Sequence, residues 1–107
     1  MATSGVVVLS TAPDDEVAAD LATFLVGERL AACVNIVGPI RSLFWWEGEV
    51  QDAGEVLLIC KTDADHLDAL IEALVAEHPY ECPEVIALPI VGGAAGYLSW
   101  IGESLAD

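Results

Sequence analysis

The stretch at residues 41–61, RSLFWWEGEVQDAGEVLLICK, decides the fold of this chain of 107 residues. An aromatic run leads into polar, glycine-containing segments and an aliphatic run returns, which is the pattern of a β-hairpin. The turn signals lie at residues 47–49 and 52–54. Residues 43–46 are large and apolar without interruption, so both faces of the first strand carry apolar bulk. One of those faces therefore needs cover from the rest of the chain or from a second chain.

Length and charge limit the classes of protein to which this chain can belong. Its length fits a single domain over residues 1–107, and 55% hydrophobic residues are enough for a full core. The 18 Asp and Glu residues outnumber 3 Lys and Arg, giving a formal net charge of −15, which predicts no nucleic-acid and no membrane partner. Such a surface suits a host with a salty cytoplasm, where salt screens self-repulsion, or an ordinary acidic protein, and both interpretations stay open.

The cysteines and the N-terminal residues indicate a compartment. Cys33, Cys60 and Cys82 are widely spaced and odd in number, which excludes a disulfide framework and a zinc ribbon. The first residues lack the basic segment and long apolar core of a signal peptide, and no apolar run approaches the ~18 residues of a transmembrane helix. We therefore expect a cytoplasmic protein.

Hydrophobic periodicity predicts seven elements in the order β-α-β-β-α-β-α. The apolar run at residues 6–9 is typical of a central strand buried on both faces. Gly38 and Pro39 predict a bend or bulge in the second strand, because proline cannot donate to a central ladder. The predicted elements are a strand at 6–9, a helix with its stripe at 17–25, strands at 31–37 and 56–62, a helix with its stripe at 67–75, a strand at 84–91 and a final helix after residue 93.

This order is the ferredoxin-like arrangement of the α+β class, with a C-terminal helix added. In that fold the two main helices cover one face of the sheet and leave the other open. The strands here are apolar at both parities, so the open face is predicted to be apolar as well. A homo-oligomer that buries this face is the expected consequence.

The sequence offers no catalytic constellation that we can identify. There is no Gly-x-Ser-x-Gly elbow and no Cys–His pair at a catalytic spacing, so we expect no enzyme. The glycine-rich segment at residues 92–96 is interpreted as a turn. Arg29, Arg41 and Lys61 are the few cations, and they either pair with acids and helix ends or recognise an anion in a cleft between subunits.

The loop at residues 78–84, HPYECPE, combines an imidazole, a phenol, a thiol and two carboxylates. Imidazole with thiolate or carboxylate can hold one divalent ion. Alternatively, the loop is structural, and its prolines fix the start of the next strand. The spacing alone does not choose between the two.

Several short motifs occur in order and together resemble the CutA family of divalent-cation tolerance proteins. They are AACVN at residues 31–35, WWEG at 45–48, KT at 61–62, HPYE at 78–81, PE at 83–84 and YLSW at 97–100. The resemblance implies a ferredoxin-like fold assembled as a homotrimer, similar in plan to the PII signalling proteins, with the hairpin reaching neighbouring subunits. It also implies tolerance to copper and other divalent ions and brings no catalytic reaction with it.

By the same resemblance, the metal-site positions of the family fall on Cys33, His78 and Glu84, with Cu²⁺ or a similar divalent ion as the ligand. Some relatives have a cysteine where this chain has Ser10, and its absence lowers the expected affinity for soft ions. The surplus of aromatic residues in the hairpin predicts subunit contacts at or near residues 44–46, which are Phe44, Trp45 and Trp46.

Two alternatives from other classes remain. A PII-like regulatory module would bind a small anion or a partner protein in clefts between subunits and would depend on the three basic residues. A small acyl-phosphate hydrolase on the same fold would require an arginine in the first loop, and residues 10–16 contain none.

Overall fold

The computed structural model describes residues 4–106 and has the predicted ferredoxin-like order of elements. The four strands form one sheet in the order β2-β3-β1-β4, and all neighbouring strands are antiparallel. No helix within residues 4–106 has the length and apolar character needed to cross a membrane. The elements are β1 (Gly5–Ala12), α1 (Asp15–Gly27), β2 (Cys33–Trp46), β3 (Glu49–Asp63), α2 (Ala64–Glu77), β4 (Ile86–Pro89) and α3 (Ala95–Leu105).

Both main helices begin at an aspartate that caps the first turn. The Asp14 carboxylate accepts the backbone N–H of Val17 at 2.9 Å, and the Asp63 carboxylate accepts that of His66 at 3.0 Å. Each cap satisfies a backbone donor that a helix leaves free at its start. The apolar stripes of α1 and α2 then pack on one face of the sheet, in a core that includes Leu21, Leu25, Leu70, Leu74, Val6, Val8, Val56, Leu58 and Cys60.

The hairpin of β2 and β3 is longer than the sequence predicted. Its turn is made by Glu47 and Gly48 alone, both with positive φ, at 51° and 78°, as two-residue hairpin turns require. The prediction of a further turn at residues 52–54 was wrong, because these residues lie inside β3 and pair with β2. Asp52 binds Arg41 across the strands through contacts of 2.9 and 2.6 Å. The polar residues there serve cross-strand pairing.

Other strand boundaries moved by a few residues. The register of β2 against β3 shifts between Val37 and Ile40, which confirms the predicted irregularity at residues 38–39. The fourth strand extends only over Ile86–Pro89, which pair with residues 6–9 of β1. It lies at the edge of the sheet, beside the central β1.

The second face of the sheet is only partly covered. Cys33 pairs directly with Lys61, so both side chains lie on the face opposite to the core residue Cys60. From α3, Ile101 and Leu105 are buried against the rest of the chain. Large apolar side chains remain exposed on both sides of the strands, namely Ile36, Val37, Leu43, Phe44, Trp45, Trp46, Val50, Ile86 and Leu88.

Candidate functional site

His78 lies at the C-terminal end of α2 and is buried, with 7% of its surface exposed. Its Nε2 lies 2.7 Å from the carbonyl oxygen of Thr11, at the end of β1. Its Nδ1 accepts the backbone N–H of Tyr80 at 3.1 Å. Since a carbonyl can only accept, Nε2 carries the proton, and both ring nitrogens are engaged. His78 therefore ties the loop after α2 to the sheet, and no lone pair is left for a metal in this conformation.

The hydrogen bond from its backbone N–H to His78 fixes the position of Tyr80. Its ring packs against the His78 ring with centroids 4.7 Å apart. Its hydroxyl donates to Oε2 of Glu55 at 2.7 Å. Burial, followed by the hydrogen bond to Glu55 and its negative charge, raises the pKa of the Tyr80 hydroxyl. The phenol therefore stays protonated and remains a donor to this carboxylate.

A pocket of about 470 Å³ opens beside this pair. One wall is formed by residues of β2 and β3 in the hairpin, and the other wall is the loop that follows α2. Glu55 is buried at 8% exposure, whereas Glu81 and Cys82 are exposed. The lining residues are Phe44, Trp46, Gln51, Ala53, Glu55, Pro79, Tyr80, Glu81 and Cys82.

A second polar group lies on the open face of the sheet. Lys61 donates to Oδ1 of Asn35, and the Cys33 thiol lies 3.9 Å from the same oxygen. Tyr97 of α3 approaches Cys33; loss of hydration, followed by the charge and hydrogen bond of Cys33, raises the pKa of the Tyr97 hydroxyl. The Tyr97 ring also contacts that of Trp100 at 5.4 Å between centroids. Thiol, ammonium, amide and phenol therefore meet at one place.

The predicted metal ligands do not converge within the described chain. Over residues 4–106, no group of three or more His, Cys, Asp or Glu side chains is placed to hold one ion. Cys33 is half-buried on the open face, His78 is buried at the end of α2, and Glu84 is exposed before β4. Their assignment as ligands stays a prediction.

The three basic side chains have different partners. Arg41 pairs with Asp52, and Arg29 donates to the carbonyl oxygen of Ser104 at 2.8 Å. That carbonyl lies in the last turn of α3, where a cation complements the helix dipole. Lys61 has an amide as its hydrogen-bond partner and forms none of the ion pairs found within residues 4–106.

The structure separates the three aromatic residues of the hairpin. Phe44 and Trp46 line the pocket, on the same side of β2. Trp45 points to the opposite side, as alternation along a strand requires, and is 74% exposed. Val50 is the cross-strand partner of Trp45, and Leu43 lies two residues before Trp45 on the same side of β2. Both are exposed beside Trp45.

Sequence reasoning did not single out Glu55 or assign a role to Tyr80. One signal was present, because Glu55 opens an aliphatic run whose other members are apolar. A carboxylate at such a position needs a partner when it is buried. That the partner is a phenol from a loop 25 residues away is a tertiary contact without a sequence pattern.

Comparison with known proteins identifies a family that matches this chain. The model of the family described as CutA1 divalent ion tolerance protein matches residues 6–104. The divalent-cation tolerance protein CutA of Escherichia coli (strain K12 / DH10B) is 46% identical over 103 residues, covering 96% of this chain and 92% of that protein.

Solved structures agree with this likeness. CutA from Xylella fastidiosa superposes with a TM-score of 0.94 at 38% identity and covers 97% of this chain and 100% of its own. CutA1 from Oryza sativa gives a TM-score of 0.92 at 50% identity, with 96% and 94% covered. The fold and nearly the whole length of the chain are therefore shared with these proteins.

Proposed function

The chain belongs to the family of CutA1 divalent ion tolerance proteins, and from this we propose that it binds divalent metal ions of the copper type as a homotrimer, without catalysing a reaction. The observation that carries the proposal is the likeness over nearly the whole chain to proteins named for divalent-cation tolerance. The charge of the chain supports it. With 18 acidic residues and 3 Lys and Arg, most carboxylates have no basic partner in the chain and can attract cations.

Assembly is supported by the apolar surface that a single chain leaves exposed. Leu43, Trp45 and Val50 form an apolar patch on the outer side of the hairpin. Ile86 and Leu88 are exposed separately, on the open face of the edge strand β4, which lies at the opposite edge of the sheet from β2. Contiguous apolar patches of this kind mark interaction sites in soluble proteins. We place Trp45 at the centre of the subunit contact, with Phe44 and Trp46 at its edge.

The proposed ligands are Cys33, His78 and Glu84, drawn from more than one subunit. Cys33 offers a half-buried thiol that suits copper or zinc. Glu84 offers an exposed carboxylate. His78 joins only if the Tyr80 backbone N–H leaves its Nδ1, so that metal binding at His78 is coupled to release of that loop.

Isothermal titration with Cu²⁺ in high salt tests the proposal, because salt suppresses loose attraction to the acidic surface. Zn²⁺ serves as the comparison ion that a thiol cannot reduce. We expect Cys33→Ser and Glu84→Gln to weaken binding at least tenfold, and His78→Ala to weaken it as well. Tyr80→Phe keeps the imidazole and is the control for damage to the loop. Equal affinities in wild type and all three ligand variants would overturn the assignment.

One observation favours the alternative of an anion-binding regulatory module. Lys61 is the cation that pairs with an amide, next to the Cys33 thiol and the Tyr97 hydroxyl. Such a group offers an ammonium and a phenol to a small carboxylate or phosphate. A thermal-shift screen of nucleotides and organic acids, on wild type and Lys61→Met, separates this function from metal binding. Stabilisation that persists in Lys61→Met would remove Lys61 from the site.

A further inference from the structure

The pocket beside Glu55 has a chemistry that neither metal tolerance nor assembly uses. Its floor carries a buried carboxylate, and its walls carry the aromatic side chains of Phe44, Trp46 and Tyr80. Glu81 adds a second carboxylate at the rim. None of the basic side chains within residues 4–106 lines it. The pocket therefore combines negative charge with aromatic surface and lacks a cation of its own.

The Glu55 carboxylate is only partly satisfied by the protein. Its Oε2 accepts the Tyr80 hydroxyl, a neutral donor. No ion pair within the described range 4–106 involves Glu55. A carboxylate at 8% exposure has lost much of its hydration, so the approach of a cation or of further donors stabilises it. The remaining lone pairs of Glu55 therefore favour a positively charged occupant.

The aromatic walls specify which kind of cation fits. A small hydrated metal ion gains little from aromatic faces, and no three-ligand metal group exists in residues 4–106. An organic ammonium ion gains from the carboxylate and from the aromatic rings, since its charge lies near the carboxylate and its carbon substituents contact the rings. A volume of about 470 Å³ accommodates a small organic molecule.

A cation that occupies this pocket has to come from outside the chain. The chain has 3 Lys and Arg residues in all. Arg41 is bound to Asp52 and Arg29 to the Ser104 carbonyl, so two of these cations already have acceptors. A second copy of the chain is therefore poorly equipped to fill the pocket with charge.

We propose that the pocket between the hairpin and the loop after α2 binds a small organic ammonium ion, held by Glu55 and enclosed by Phe44, Trp46 and Tyr80. Glu55 supplies the charge, and the aromatic rings contact the alkyl groups of the ligand. His78 is a positioning residue, because its bonds to Thr11 and to the Tyr80 backbone hold Tyr80 against Glu55. The site needs no divalent metal ion, since a metal ion bound at Nδ1 of His78 would displace the Tyr80 backbone N–H that positions this loop, and its lining residues come from one chain.

Calorimetric titration with choline tests the site, and 3,3-dimethyl-1-butanol is the matched neutral probe because it replaces the ammonium nitrogen by carbon. The assembled full-length protein is used at constant ionic strength with a metal chelator. We expect choline to bind at least tenfold tighter than the neutral probe, as a desolvated carboxylate and aromatic faces together imply. Equal affinities, or no binding of choline, would overturn the proposal.

Variants locate the binding. Glu55→Gln keeps an oxygen that can accept the Tyr80 hydroxyl and is expected to weaken choline binding about tenfold. Glu72→Gln removes the same charge from an exposed position on α2 and is expected to change the affinity less than twofold. Equal losses in these two variants would show diffuse attraction to an acidic protein and would refute the site. Trp46→Leu, which keeps bulk but removes the aromatic face, provides the second test if Glu55→Gln does not fold; unchanged affinity in that variant would also refute it.

Discussion

The hydroxyl of Tyr80 donates to Oε2 of Glu55 at 2.7 Å and joins the loop after α2 to the long hairpin. The bond spans 25 residues of sequence and brings a neutral phenol to a carboxylate that is 8% exposed. Because the same loop is held by both nitrogens of His78, the two contacts form one connected unit. The pocket wall depends on that unit.

Removing the hydroxyl should therefore cost stability. We expect Tyr80→Phe to lower the free energy of unfolding by about 1–2 kcal/mol, since hydrogen bonds to charged groups contribute somewhat more than neutral ones and Tyr80 is half-buried. Urea denaturation at fixed protein concentration measures it. A double-mutant cycle with Glu55→Ala, which removes the acceptor, isolates the pair, and additive effects of the two substitutions would show that the bond contributes nothing.

A second prediction concerns an unpaired group in the core. Ser10 is fully buried, and its hydroxyl has no hydrogen-bond partner among the residues the structure describes. An unsatisfied buried hydroxyl costs about 1–3 kcal/mol. We expect Ser10→Ala to raise the free energy of unfolding by about 1 kcal/mol, after allowance for the small cavity.

Thr62 is the matched control for that substitution. It is equally buried, but its hydroxyl donates to the carbonyl oxygen of Leu30 at 2.8 Å. Thr62→Val should therefore destabilise the protein by about 1 kcal/mol or more, because the Leu30 carbonyl loses its donor. These two substitutions, which each remove a buried hydroxyl, would therefore change the free energy of unfolding in opposite directions. A loss of stability in Ser10→Ala would show that its hydroxyl has a partner, such as a water molecule.

A third prediction concerns Cys60. Burial raises the pKa of its thiol to about 12. The pKa of this thiol is higher in the folded than in the unfolded state. Its contribution to the free energy of unfolding is therefore complete at pH values below about 8.5, the pKa of a cysteine in the unfolded chain. It is lost as the pH rises toward the folded value. We expect Cys60 to resist a thiol reagent at pH 8 until denaturant is added, whereas the exposed Cys82 reacts at once.

The measurement is a count of titrated thiols in wild type and Cys60→Ala. In the native state the two proteins should release the same amount of chromophore, and in denaturant the variant should release one equivalent less. A native difference of one full equivalent would mean that Cys60 is accessible. Cys33 is half-buried, and its reactivity cancels in this comparison.

These contacts show which features sequence can predict and which it cannot. The apolar stripes of α1 and α2 and the aspartate caps follow local rules, so the order of elements was predicted correctly. The turn signal at residues 52–54 was misleading, because Asp52 is used by Arg41 on the facing strand. That choice depends on register, which no local pattern records.

The site was predictable only in its composition. The loop at residues 78–84 was recognised as rich in ligand types, and His78 was a sensible candidate. Its role depends on Thr11, which is 67 residues away in sequence and is brought beside it by the sheet. Both nitrogens of the ring are used in that setting, and no spacing rule contains this information.

The final prediction concerns assembly and follows from the position of Trp45. This side chain is 74% exposed in the single chain and lies beside Leu43 and Val50, away from the pocket. If the proposed trimer buries it, Trp45→Ala should weaken association by about 2 kcal/mol per contact, or roughly thirtyfold, as for aromatic residues at the centre of an interface. Sedimentation velocity over a range of protein concentrations should then show dissociation at concentrations where wild type stays assembled.

Val75→Ala, which trims an exposed apolar side chain on α2, is the control and should assemble normally. Unchanged assembly of Trp45→Ala at every concentration would show that the outer side of the hairpin is not the contact, whereas Trp46→Ala should affect the pocket before it affects assembly.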